Sequence, residues 1–286
     1  MKKLHIPKRW AQQGFTLVEL AIVMTIIGLL IGGILKGQEL MQNARVTATI
    51  AQVRSYEAAT TTFRDSFAAI PGDMNNAATR ITGCDISCNP FVSAVAGAPT
   101  AGDSMVGSPT WASTAPGWAT QTPAAMATTT AQTTNMAETV LFWRHLSLAD
   151  LIAGISSSAN IAWGDSHPQA RIGGGFIVGQ GNGTIAPGSS GAAGTGPSGM
   201  VLALVQAPNS GTTANMILSG QQPMSASRAA QIDRKMDDGR PAGGFVQGYG
   251  TQLTCSSVLA PFSATSPGYL ETVVANDCGL FFRIQG

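Results

Sequence analysis

The sequence predicts an α+β fold in which one long N-terminal helix packs on a small antiparallel β-sheet head with long loops. Apolar residues recur at close to helical spacing from Phe15 to about Phe67. Short runs of β-branched and apolar residues follow only later, between glycine-rich stretches, at 171–178, 200–206, 244–249 and 280–284. With 11% charged residues and 34 glycines among 286 residues, the outer part is expected to be loop-rich around a modest core.

Residues 1–14 carry Lys2, Lys3, Lys8 and Arg9 without a carboxylate, a pattern that stays on the cytoplasmic side of a membrane. From Phe15 to Leu35, a helix rising ~1.5 Å per residue spans the hydrocarbon core of a bilayer, and its single ionisable side chain is Glu19. A carboxylate there is costly unless it is neutralised or paired. An ordinary secretory signal is cut at small residues after its apolar region, whereas the small residue here, Gly14, precedes it. Cutting after Gly14 leaves the spanning segment in place. It also creates an α-amino group on Phe15 that can meet the Glu19 of a stacked neighbour.

The run Gly14-Phe15-Thr16-Leu17-Val18-Glu19, behind a short basic leader and ahead of an apolar helix, resembles the class III signal of type IV pilins and of the pseudopilins of type II secretion systems. The resemblance implies cleavage between Gly14 and Phe15 by a prepilin peptidase, N-methylation of Phe15, and Glu19 steering subunits into a helical filament. It implies as partners other pilin or pseudopilin subunits, the peptidase, the inner-membrane assembly machinery and the membrane. The implied location is the bacterial inner membrane, single-pass with a periplasmic head, and then a pilus or pseudopilus. A bare anchor is the plainer alternative, but an anchor needs neither this motif nor a carboxylate in its apolar stretch. The domains expected are a cleaved leader at 1–14, a long helix at 15–70 that crosses the membrane at about 15–35, and a head at 71–286 with a variable insertion at about 79–135.

Beyond Leu35, residues Leu40, Ala44, Val46, Ile50, Val53, Tyr56, Thr60, Phe63 and Phe67 continue the helical period, so the outer half of the helix is expected to pack on the head. Pro71-Gly72 is read as its end. Gly28, Gly32, Gly33 and Gly37 either allow close helix approach or weaken the helix. Many major pilins carry proline where this chain has Lys36, and Lys36 is expected to snorkel to the outer interface. Ile70-Pro71-Gly72-Asp73 resembles the Leu-Pro-Gly-Asp signature of pseudopilin-like proteins. Trp111 and Trp118, in the Ala/Thr-rich insertion, serve as packing anchors or as contact residues.

A cap at Asn135 with Glu138 three residues on opens a helix expected to reach Ile152, and Phe142-Trp143-Arg144-His145-Leu146 resembles a segment of pseudopilin-like heads. His145 in such a packed helix reads as structural rather than catalytic. The stretch 179–199 reads as flexible connection, and its Gly-x-Gly-x-Gly is no dinucleotide fingerprint because no helix pattern follows. A weak strand is expected at 215–218 and a short helix at 225–236. Ile232-Asp233-Arg234-Lys235-Met236-Asp237-Asp238-Gly239 resembles the Ile-Asp-x-Lys-x-Asp-Asp-Gly run of pseudopilin-like heads, some of which bind calcium. Asp233, Asp237 and Asp238 therefore either hold calcium through hard oxygen ligands or end the helix and shape the turn; no other cofactor is expected.

Cys84, Cys88, Cys255 and Cys278 all follow the membrane segment and allow three pairings, of which the two local ones, Cys84 with Cys88 and Cys255 with Cys278, are favoured. Zinc is the competing reading, weakened by the absence of a nearby histidine. Loss of the leader's four basic residues lowers the formal charge from +1 to −3, so no nucleic-acid partner is expected. No nucleophile or metal-ligand pattern surrounds His145 or His167, and no catalytic residue is assigned. The function expected is a structural subunit of a type IV pilus or a type II secretion pseudopilus, not an enzyme. The alternative is a membrane-anchored extracytoplasmic enzyme or binding domain that does not assemble.

Overall fold

The computed structural model describes residues 15–90, 102–106, 138–156, 162–182, 197–207, 222–250, 254–256 and 268–284. The leader with Gly14, Trp111, Trp118, the cap expected at 135–137 and the strand expected at 215–218 lie outside these residues. The chain divides into two compact units, Met1–Ala44 and Arg45–Gly286. Helix α1 (Leu17–Phe67) contributes residues to both.

In the first unit α1 is apolar and exposed, with an 18-residue window of mean hydropathy 2.5. Among the described residues, a Cβ added at Gly28, Gly32, Gly33 or Gly37 would meet nothing within 4 Å, so no contact there requires these glycines. Lys36 pairs with Glu39 at 2.7 Å, one turn on.

In the second unit Val46, Ile50, Val53, Tyr56, Ala59 and Phe63 form the buried stripe of α1. The helix stops at Phe67 because Ala68 turns left-handed, with φ 51, while its N–H still reaches the Arg64 carbonyl at 2.7 Å. Pro71-Gly72 lies three residues beyond this turn and is not the stop signal. A short helix α2 (Ala77–Arg80) and a 3-10 turn (Ile86–Cys88) follow, so the first part of the expected insertion is locally structured. Helix α3 (Glu138–Leu148) ends four residues before Ile152. The cause is Asp150, left-handed at φ 56: its N–H bonds to Ser147 O and the Leu151 N–H to Leu146 O, a Schellman closure.

The sheet has the order β1-β2-β4-β3, antiparallel throughout, from β1 (Gly175–Asn182), β2 (Ser198–Val205), β3 (Val246–Gly250) and β4 (Cys278–Arg283). Helix α4 (Ala226–Met236) lies between β2 and β3 in the chain. Alternation along the strands sorts the side chains to two faces. Phe176, Val178, Leu202, Leu204, Val246, Leu280 and Phe282 share one core with α1 and α3, where Tyr56 meets Trp143 and Phe176 edge-on at 5.2 and 5.4 Å. Ile177, Val201, Ala203, Val205, Tyr249 and Phe281 form a second cluster. Each large side chain fully buried this way contributes about 2 kcal/mol.

The strands depart most from the expected runs at three points. The segment 171–174 is a turn rather than the start of β1; Gly174 has φ 64, and a Cβ there would lie 2.1 Å from the Val205 carbonyl. Residues 179–182, read as flexible connection, continue β1, because their backbones pair with 198–201 whatever their side chains. Phe245 stays just outside β3, and its N–H, like that of Val246, donates to the Asp237 carboxylate. Disulfides join Cys84 to Cys88 and Cys255 to Cys278, with Cα separations of 5.8 and 5.1 Å.

Candidate functional site

The candidate assembly segment begins where α1 begins. Thr16 stands at the cap position: its Oγ1 accepts the Glu19 N–H at 3.3 Å, while Glu19 Oε2 accepts the Thr16 N–H and hydroxyl, each at 2.9 Å. This is a capping box, which satisfies orphan donors of the first turn and places the carboxylate at the positive end of the helix dipole. Glu19 thus has a partner inside its own chain as well as any it meets outside. The Thr-x-x-Glu spacing at 16–19 is the sequence signal for it. Phe15, next to the expected cut, is exposed.

Distal to α1, the run Pro71-Gly72-Asp73 is a junction. Asp73 is buried, and its two carboxylate oxygens accept the backbone N–H groups of Gly102 and Ser104, the latter at 2.7 Å, which fastens part of the insertion to the head. Burial drives its carboxyl above the ordinary range against the pull of those bonds. The Gly72 N–H donates to His145 Nδ1 at 2.9 Å, so the Nε2 proton must point at the Cys88 carbonyl, also at 2.9 Å. No sequence pattern marked these long-range bonds.

Neither described histidine reaches solvent. His167 is buried with Nδ1 2.8 Å from Ser166 Oγ, and burial pushes both rings down to about 4. For His145, the Arg144 charge adds to that effect and the Cys88 bond opposes it. A histidine held neutral in the fold contributes stability above its unfolded value near 6.5, and that contribution is lost as pH falls towards 4. For one such ring it is on the order of 3 kcal/mol. The melting temperature of the protein is therefore expected to fall between pH 6.5 and 4, with a shallower slope in His145→Gln; equal slopes would contradict this reading. Asp233 acts in the opposite sense, since its carboxyl is pushed up to about 7, first by burial and then by Asp238 and Asp237.

One carboxylate oxygen from each of Asp233, Asp237 and Asp238 lies within 4.8 Å of the other two at the end of α4. Asp233 accepts the Gly239 N–H at 3.1 Å and the Tyr269 hydroxyl at 2.8 Å, and Asp238 accepts the Arg240 N–H at 2.8 Å. With Asp237 holding Phe245 and Val246, all three carboxylates close the turn that leads into β3.

Residues 11–35 match the family model for the prokaryotic N-terminal methylation motif. No curated protein and no solved structure matches the chain. The matched residues are a type IV pilin-like prepilin-type segment at the start of the chain. With it goes an apolar helix long enough to cross a membrane.

Proposed function

We propose that the protein is a filament subunit. Prepilin peptidase cuts it between Gly14 and Phe15 and methylates Phe15, the apolar part of α1 holds it in the inner membrane with the head outside the cytoplasm, and assembly machinery packs it against other pilin-type subunits. The observation that carries this reading is the coincidence of the methylation motif with a helix that starts, capped by Thr16 and Glu19, directly after the expected cut. Removal of the leader leaves a positive amino group beside that cap. A neighbour's Glu19 is the anion that can neutralise it away from water. Between the two filament types, the uninterrupted passage of α1 through Lys36 favours the pseudopilus of a type II secretion system.

Glu19→Ala tests the pairing. The variant is expected to insert and to be cleaved at the normal rate, yet to be recovered from sheared filaments in much smaller amount than the wild type. Normal incorporation would defeat the role given to Glu19.

A further inference from the structure

The two disulfides differ in how a thiol can reach them. Cys255 and Cys278 are both fully buried, and Cys278 opens β4 with its N–H and C=O paired to Met224. A reagent meets that bridge only when the structure around it opens. Cys84 is partly exposed and sits beside exposed Gly83 and Asp85, and its ring to Cys88 encloses only Asp85, Ile86 and Ser87. Within that ring Ile86 is 57% exposed.

The turn that carries this ring has other supports. The Cys88 N–H bonds to Asp85 O at 2.9 Å, Arg144 reaches Ser87 Oγ at 2.8 Å and Asp85 at 3.5 Å, and His145 holds the Cys88 carbonyl. Opening the bridge therefore leaves both sulfurs close enough to rejoin.

We propose that Cys84–Cys88 is a thiol–disulfide exchange site on the folded head, while Cys255–Cys278 is a sealed structural bridge. The co-reactant is an external dithiol, small or borne on a protein. Its thiolate attacks Cys84 Sγ, the S–S bond breaks, and the bonding pair leaves on Cys88 Sγ. The second thiolate of the reagent then attacks its own sulfur in the mixed disulfide and releases Cys84 Sγ. Protonation yields two cysteine thiols, and the reagent departs as its disulfide, oxidised by two electrons. The redox state of the surroundings is thereby written into one surface turn, which presents Asp85 and Ile86, without loss of the sheet.

The test uses full-length protein in detergent, graded dithiothreitol, quenching with iodoacetamide and peptide mapping, with near-ultraviolet circular dichroism as the measure of fold. Cys84 and Cys88 are expected to become labelled at a reductant concentration roughly tenfold or more below that needed for Cys255 and Cys278, the difference between local and global opening. The spectrum should stay folded, and oxidised dithiothreitol should close the ring again. Labelling of both pairs together, or labelling of Cys84 and Cys88 only after the folded spectrum is lost, would overturn the proposal.

Discussion

Gly72→Ala is expected to unfold the head or bring it to the edge of unfolding. Gly72 has φ 89, and a Cβ there would lie 2.4 Å from the Glu138 carbonyl oxygen and 3.0 Å from the Phe142 nitrogen, both backbone atoms of α3. Neither atom can rotate away as a side-chain end can, so α3 itself would have to move. That movement breaks the bond from Gly72 to His145 and disturbs Phe142 and Trp143, which are fully buried. The left-handed backbone alone costs about 1 kcal/mol for alanine, and displaced core packing adds several kcal/mol, against a total stability of roughly 5–15 kcal/mol. Gly83→Ala is the control: φ is 80, but the added Cβ meets only the tip of Leu148, at 3.7 Å. Chemical denaturation of the two variants should show a small loss at Gly83 and a very large one at Gly72. Equal losses would mean that backbone conformation, not the seat on α3, is what Gly72 supplies.

The second large effect concerns processing. Gly14→Val places a branched side chain at the expected cut, where the proposed peptidase pocket accepts glycine. Cleavage should be abolished, and with it filament assembly, because the leader would keep its basic residues attached to α1 and no amino group would form on Phe15. Membrane insertion should be unaffected, since the apolar stretch is unchanged. Immunoblots of membrane fractions read both outcomes: one precursor band at wild-type abundance and no mature band. A mature-length product from this variant would place the cut elsewhere.

The parts of the fold written in local pattern were legible in the sequence. The helical period from Val46 to Phe63 gave the packed stripe of α1, and the β-branched runs located three of the four strands to within a few residues. The fourth, β1, was placed in part only, because the glycines at 179 and 181 have no strand preference of their own and are ordered by pairing with 198–201. Partners distant in the chain left no local trace either. Nothing around Asp73 points to Gly102 and Ser104, and nothing around His145 points to Gly72 and Cys88. At the N-terminus the opposite occurred. The capping box of Thr16 and Glu19 is spelled out in four adjacent residues, yet a carboxylate in an apolar stretch directs attention to an external partner first.

Intact mass and N-terminal sequence of the membrane-extracted protein, with and without co-expressed prepilin peptidase, test the central claim most directly. With the peptidase, the protein should lack residues 1–14 and begin at a methylated Phe15; without it, the leader should remain. A leader retained in both samples would contradict the filament-subunit reading and leave the helix as an anchor alone.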